Sequence, residues 1–378
     1  MAKPRVAIVH DWLITAGGAE RVLARICALL PTADLFCLIG ERGLAPQPVA
    51  HNAFVQSWLG RLPGVQQNYR WLAPLMPFAA ESLPLKGYDL VVSSTWAFAH
   101  GVRPSPQAIH LAYVHSPMRW AWDMQAEYLD RWSRVGIPKG LAQLPLSLLR
   151  RWDARAGQRP TALLANSQFI QQRIARCWAR PSRLLYPPVA ADPPQDAPYH
   201  DAYVAVSRLV PYKRVDIIVK AFAALPERRL IVAGDGPEMS RLRAMAGPNV
   251  SFAGWVTDAQ ALQLMAGSRG FIQASKEDFG IAVVEAQACG VPVLAYADGG
   301  AAETVVTEGE RPTGRLFKED TAESLVAALR DFESRSFRAA DCKSQAQRFS
   351  VQAFDQGFYD ALAEHGFEPS AFALGNKD

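Results

Sequence analysis

The stretch Tyr203-Val204-Ala205-Val206-Ser207-Arg208-Leu209-Val210-Pro211-Tyr212-Lys213-Arg214 decides the fold. Its first four residues suit a strand buried on both faces, the chain breaks at Ser207-Arg208, and residues 215–225 read as a helix. Strand, loop and helix in that order are the building unit of a parallel α/β sheet. The unit recurs downstream. Strands are expected over 229–233, ending at Gly234-Asp235-Gly236-Pro237, and over 250–253, 270–273 and 292–295. Helices are expected around 262–265 and over 281–288, 321–330 and 351–364. The same alternation runs upstream. Residues 6–9 read as a strand, and Gly17-Gly18-Ala19-Glu20 opens a helix with Val22, Leu23, Ile26, Leu29 and Leu30 on one stripe. Further strands are expected over 35–39, 89–94, 109–114 and 162–166. Between the two series lie Pro187, Pro188, Pro193, Pro194 and Pro198, too many prolines for an element interior. The pattern predicts an α/β protein of two Rossmann-like domains, residues 1–190 and 191–355. Residues 356–378 are expected as a helical segment returning to the first domain. Ligands of open α/β sheets bind beyond the carboxyl ends of the strands, so two facing halves would place the site in the cleft between them.

Composition narrows the function. The 378 residues are 49% hydrophobic and 20% charged, which suits a folded globular chain and excludes disordered or fibrous architectures. Forty Lys and Arg against 36 Asp and Glu give a net charge of +4, too weak to argue for nucleic acid but compatible with an anionic membrane surface. Cys27, Cys37, Cys177, Cys289 and Cys342 are odd in number and lack metal-ligand spacing, so they read as buried thiols of a reducing compartment. The apolar run 6–9 is too short for a signal peptide, and no stretch approaches the ~20 apolar residues of a membrane span. The expected location is the cytoplasm, free or on the inner face of the membrane.

Four stretches carry chemistry. Gly17-Gly18 before a helix allows close backbone approach, and the helix amides favour an anion such as phosphate; a flexible turn is the alternative. Arg208 and Lys213 follow a strand end and can converge on one anion beyond it, with a planar fork and a point charge suited to a diphosphate; the alternative is a solvated basic loop, where Arg214 belongs. Gly234 and Gly236 permit a sharp turn with or without a ligand. Glu277-Asp278-Phe279-Gly280-Ile281-Ala282-Val283-Val284-Glu285 holds two glutamates eight positions apart. Glu285 sits among apolar residues, where a carboxylate is costly without partners, and ribose hydroxyls would supply them. Glu277, in the preceding loop, would receive sugar hydroxyls. The amides around Phe279, Gly280 and Ile281 would meet phosphate or sugar oxygens. There is no Asp-x-Asp metal site and no dinucleotide GxGxxG fingerprint, so neither a metal nor another cofactor is expected.

In order and spacing, these motifs make the chain resemble the family-4 retaining glycosyltransferases of GT-B fold. The segments His10-Asp11-Trp12-Leu13, Tyr113 to Asp123 and Ala165-Asn166-Ser167 resemble the bacterial mannosyltransferases that assemble O-antigen and exopolysaccharide on a lipid carrier. The resemblance implies that Gly17 and Gly18 approach the donor phosphate, Arg208 and Lys213 hold the diphosphate, Glu285 binds the ribose and Glu277 the transferred sugar. It places His115 near that sugar and His10, Asp11 and Trp12 on the acceptor side. It implies a nucleotide-sugar donor, most simply GDP-mannose, a polyprenyl-diphosphate-linked saccharide acceptor, and retention of configuration without a metal. Lys276 stands where relatives carry small residues and proline, so it is expected to face solvent or alter the donor pocket.

Residues 58–85 mix Trp58, Leu59, Leu62, Tyr69, Trp71, Leu72, Leu75, Met76 and Phe78 with Arg61 and Arg70, as a membrane interface would, or as helices packed on the first domain would. Arg119-Trp120 and Arg150-Arg151-Trp152 are expected on the same face. A non-catalytic sugar-nucleotide-binding protein and a nucleotide-sugar epimerase are the competing readings.

Overall fold

The computed structural model describes residues 3–14, 17–123, 125 and 139–372. The chain divides into two units, Met1–Pro188 with Phe354–Asp378, and Val189–Ala353. Of the C-terminal segment expected over 356–378, residues 373–378 lie outside the described residues.

The first unit is built on seven parallel strands: β1 Val6–Leu13, β2 Asp34–Gly40, β3 Phe54–Gln56, β4 Leu90–Thr95, β5 Ile109–Val114, β6 Ala162–Ala165 and β7 Arg183–Leu184. They lie in the order β3-β2-β1-β4-β5-β6-β7. Side chains alternate along a strand, so Val6 and Ile8 enter one apolar core while Ala7 and Val9 enter the core on the opposite face. With both faces covered, the strand reads as a continuous apolar run rather than an alternating one. The helix Val351–Ala363 supplies Phe354, Phe358, Ala361 and Leu362 to the first of these cores. Phe354 meets the ring of Tyr113 at 5.8 Å, and Arg25 Nε donates to Asp355 at 2.6 Å.

The second unit has six parallel strands: β8 Ala202–Val206, β9 Arg229–Ala233, β10 Val250–Gly254, β11 Gly270–Gln273, β12 Val293–Tyr296 and β13 Gly314–Phe317. Their order is β10-β9-β8-β11-β12-β13. Tyr203 and Ala205 face one core and Val204 the other. In each unit the strand order reverses once, between β1 and β4 and between β8 and β11. Helices leave on opposite sides of the sheet at such a point, which opens a crevice beyond the strand ends.

Three differences from the sequence expectations matter. The first strand runs to Leu13, so His10, Asp11 and Trp12 lie within β1 rather than beyond its end. Polar residues there look like a strand terminus, but their partners on β4 and the following turn let the ladder continue. The short strands β3, β7 and β13 lacked an apolar run long enough to detect. Trp152 is not a surface residue: it donates from Nε1 to Glu81 at 2.8 Å and packs its ring 5.6 Å from Phe98. The mixed stretch after Trp58 is a series of short helical turns, with Met76, Ala79 and Ala80 in the core and Trp58, Leu62, Trp71, Leu75 and Phe78 exposed. Cys27, Cys37, Cys177 and Cys342 are buried, Cys289 is half-buried, and all five are unpaired. Burial pushes the Cys27 and Cys37 thiols up to about 12, which makes them poor nucleophiles. No helix among the described residues is long and apolar enough to cross a membrane.

Candidate functional site

In the second unit the crevice lies at the ends of β8 and β11. The chain leaves β8 through Ser207 and Arg208, makes a 3-10 turn over Pro211–Lys213, and turns at Arg214, whose φ is 51°, into the helix Val215–Ala223. That turn carries Lys213 back toward β11. Its ammonium pairs with the Glu277 carboxylate, which also accepts a hydrogen bond from Ser275 Oγ at 2.7 Å. Both partners keep about a fifth of their side-chain surface exposed (18% and 20%), so the pair borders solvent rather than the core.

Arg208 is exposed and donates from Nη2 to the Tyr212 hydroxyl at 2.8 Å. Tyr212 also has the Lys213 ammonium 5.7 Å from its ring centroid, and so stands beside both cations. The two cations expected to converge on one anion thus have different partners here, Tyr212 for Arg208 and Glu277 for Lys213. Arg214, expected in solvent, is half-buried and paired with Asp216 at 3.4 Å and with Asp320.

The glycines around this crevice shape backbone. Gly234 (φ 131°) lies so close to β8 that a Cβ would stand 1.8 Å from the Ser207 carbonyl oxygen; at Gly236 (φ 155°) it would stand 2.4 Å from that of Leu209. Leu209 N donates to Asp235 O at 2.9 Å and Glu238 N to Leu209 O at 3.0 Å. The Gly-Asp-Gly turn therefore fixes the Arg208 loop from behind. On the other side, Gly300 N donates to Glu277 O at 2.9 Å, and a Cβ on Gly300 would fall 2.3 Å from Phe279 Cα. Gly299-Gly300 is the floor under the Glu277 loop. Phe279 is buried with its ring 5.4 Å from Phe349, so its side chain anchors the loop. Gly280 (φ 91°) begins the helix Ile281–Ala288 without a side-chain cap, and the half-buried Ile281 and Glu285 lie on that helix. Lys276 is exposed and donates to Asp298 at 2.5 Å. Tyr212, Ser275 and Gly299-Gly300 escaped the sequence reading. The glycine pair just after a strand was the legible signal among them.

In the first unit the corresponding crevice lies at the ends of β1 and β4. Gly17 precedes the helix Gly18–Leu29 with no side-chain cap, and both glycines are exposed. Asp11 has no exposed surface, and its expected place on an acceptor-facing surface does not hold. Its two oxygens accept from the amides of Trp96 (2.6 Å), Ala97 (2.9 Å), Phe98 (2.7 Å) and Ala99 (2.7 Å) and from Thr95 Oγ1 (3.2 Å). A buried carboxylate is tolerated because these donors replace water, and it serves to tie down the turn after β4. His10 is likewise fully buried, and Trp12 packs on Tyr69, Trp96 and Phe98 at 5.1, 5.7 and 6.2 Å. His115, buried just past β5, has Nε2 2.9 Å from Ser94 Oγ. Burial pushes its pKa down to about 3, with the nearby His10 as a second cause, so the ring is neutral near pH 7. Among the described residues no group of three or more His, Cys, Asp or Glu is placed to hold a metal ion.

Residues 200–349 match the family described as glycosyl transferases group 1. A GDP-mannose-dependent monoacylated alpha-(1-6)-phosphatidylinositol monomannoside mannosyltransferase of Corynebacterium glutamicum is 39% identical over 114 residues, 26% of this chain and 30% of the relative. A GDP-mannose-dependent alpha-(1-6)-phosphatidylinositol monomannoside mannosyltransferase of Mycolicibacterium smegmatis is 27% identical over 241 residues, 55% of this chain and 62% of the relative. The chain thus spans less than two thirds of the length of either. Anabaena Alr3699/HepE, solved in complex with UDP, superposes with a TM-score of 0.67 at 20% identity, covering 95% of this chain and all of that one (100%), a likeness of fold. Residues 200–349 are therefore a glycosyl transferases group 1 domain, in a chain whose two parallel-sheet α/β units have GT-B glycosyltransferases as structural neighbours.

Proposed function

We propose that this protein is a retaining hexosyltransferase that moves mannose from GDP-mannose to a lipid-linked saccharide in bacterial polysaccharide assembly, without a metal. The observation that carries the reading is the Lys213–Glu277 pair at the β8/β11 switch point. It sets a cation for the diphosphate beside a carboxylate for the sugar hydroxyls. An incoming diphosphate competes with Glu277 for Lys213, and the released carboxylate oxygens turn to the sugar. The bond from the anomeric carbon to the phosphate oxygen breaks, and the electron pair leaves with the nucleoside diphosphate. Lys213 and Arg208 stabilise that growing charge. The acceptor oxygen bonds the anomeric carbon on the same face and gives its proton to the departing phosphate. Glu285 takes the ribose hydroxyls, and the backbone of Phe279 to Ile281 faces phosphate oxygens.

GDP-mannose as donor is supported by the two mannosyltransferases named above. Contact with the inner face of the membrane is supported by Trp58, Leu62, Trp71, Leu75 and Phe78, 41–66% exposed and interspersed with Arg61 and Arg70. A thermal-shift series with GDP-mannose, UDP-sugars and ADP-sugars tests the donor, since a bound ligand raises apparent stability by mass action. The expected shift is with GDP-mannose; a shift with a UDP-sugar alone rejects it. Lys213→Ala and Arg208→Ala are expected to lower transfer by about 10²–10³ with the fold retained. Full turnover in both variants, or conversion of the nucleotide sugar without any acceptor, rejects the mechanism.

A further inference from the structure

Three side chains in the first unit form a continuous buried chain. His10 Nδ1 lies 3.1 Å from the Ser94 carbonyl oxygen and 3.2 Å from Ser94 Oγ. Ser94 Oγ in turn lies 2.9 Å from His115 Nε2. A carbonyl oxygen only accepts, so His10 Nδ1 carries a hydrogen and shares it between the two Ser94 oxygens. Having accepted from His10, the Ser94 hydroxyl turns its own hydrogen to His115 Nε2. That nitrogen is then bare, and a neutral imidazole with a bare Nε2 holds its hydrogen on Nδ1.

The opposite arrangement would have His10 Nδ1 accept from Ser94 and His115 Nε2 donate to it. It sets a nitrogen lone pair against a carbonyl oxygen at 3.1 Å, which is repulsive. His10 Nε2 has no hydrogen-bond partner among the described residues and lies 3.7 Å from Glu20 Oε1. Trp96 closes the cluster, its ring 5.5 Å from His10 and 6.2 Å from His115.

We propose that His10 and Ser94 are positioning residues that lock His115 in its Nδ1–H form, so that it presents a hydrogen-bond donor, not a base, to an oxygen of the donor sugar. The sugar contact rests on the transferase reading; the tautomer does not. In this form Nδ1 cannot receive the acceptor's proton, which leaves that proton to the departing phosphate.

The test is ring-nitrogen NMR on the full chain labelled with ¹⁵N-histidine, with the His115 signals identified by their loss in His115→Gln. Native His115 is expected to hold hydrogen on Nδ1 and none on Nε2. Ser94→Ala, a small change that keeps the backbone carbonyl, removes the partner of Nε2. It is expected to release the ring toward the Nε2–H form and to lower kcat about tenfold with little change in the donor KM, the scale of one hydrogen bond. His10→Asn restores an N–H toward Ser94 and is expected to keep most of the activity that His10→Phe loses. A native His115 protonated at Nε2 overturns the proposal, as does a Ser94→Ala variant whose turnover matches the native chain. If instead the native tautomer is as expected but no nucleotide sugar supports transfer, the failure belongs to the transferase reading.

Discussion

At the scale of single residues, the buried histidines carry a pH signature. His110 donates to or accepts from Ser93 Oγ at 2.9 Å, and its pKa is pushed down to about 3 by burial and then by the charges of His100, Arg159 and Arg180. His115 is pushed to about 3 by burial and His10. Folding therefore favours the neutral rings, while the unfolded chain takes up protons near the ordinary histidine value. Their contribution to stability is complete above about pH 6.5 and falls as pH drops from there toward 3. Over the window from about pH 6.5 to 5, before most carboxylates titrate, each ring accounts for up to ~2 kcal/mol. Urea unfolding followed across that window is expected to show the native chain losing more stability than His110→Gln. Parallel curves for the two would mean that His110 titrates normally in the folded chain. Asp11 illustrates the opposite case of a buried polar group. Five donors hold its two oxygens, and those bonds offset the cost of burying it while fixing the turn after β4.

At the scale of elements, the site is made of loops pressed against one another at strand ends, and glycine decides how closely. Gly234 and Gly254 both have positive φ, 131° and 73°, yet a Cβ at Gly234 would strike the Ser207 carbonyl while none of the neighbours of Gly254 comes within 4 Å. Gly254→Ala carries backbone strain alone and is expected to cost about 1 kcal/mol. Gly234→Ala must also push the Arg208 loop away from β9, and is expected to cost about 3 kcal/mol or more and to weaken donor binding. Thermal unfolding and donor titration of the pair check this; equal behaviour would show that the two loops are not braced against each other. The same contrast explains what could be read in advance. Strands such as β8 and β11 were legible because both faces are buried and their residues are mostly apolar. The Lys213 and Glu277 stretches were legible as charges placed just beyond such strands. The Lys213–Glu277 pairing was not, because it depends on the strand order β8-β11, which puts segments 64 positions apart side by side. Nor was the depth of Asp11 and His10. Sequence shows two polar residues after an apolar run, and only the neighbouring β4 with its following turn makes them interior.

At the scale of the whole molecule, the chain leaves the first unit at Pro188 and re-enters it at Phe354, so the first fold is completed only by residues that follow the whole second unit. The returning helix is no appendage. Phe354, Phe358, Ala361 and Leu362, together with Phe372, share a core with Val6 and Ile8 of β1 and with Tyr113 of β5. A Cβ on Gly357 would lie 2.7 Å from Leu185 Cδ1, so the helix seats closely on the end of the first sheet. Removing one buried Phe side chain from a core costs about 3–5 kcal/mol, and three together exceed much of the ~5–15 kcal/mol that holds a typical domain folded. A chain ending at Ala353 is therefore expected to lose the first unit's folding and keep the second's, because Val189–Ala353 retains its own sheet and both of its cores. Calorimetry and limited proteolysis would separate the outcomes. The expected result is one surviving cooperative transition, a protected fragment beginning near Val189, and rapid cleavage within residues 3–188. A truncated chain that keeps two transitions would show that the first sheet closes its core without the helix. Transfer activity would be lost in the truncated chain under the proposed function, since Gly17, Gly18 and His115 belong to the unit that no longer folds.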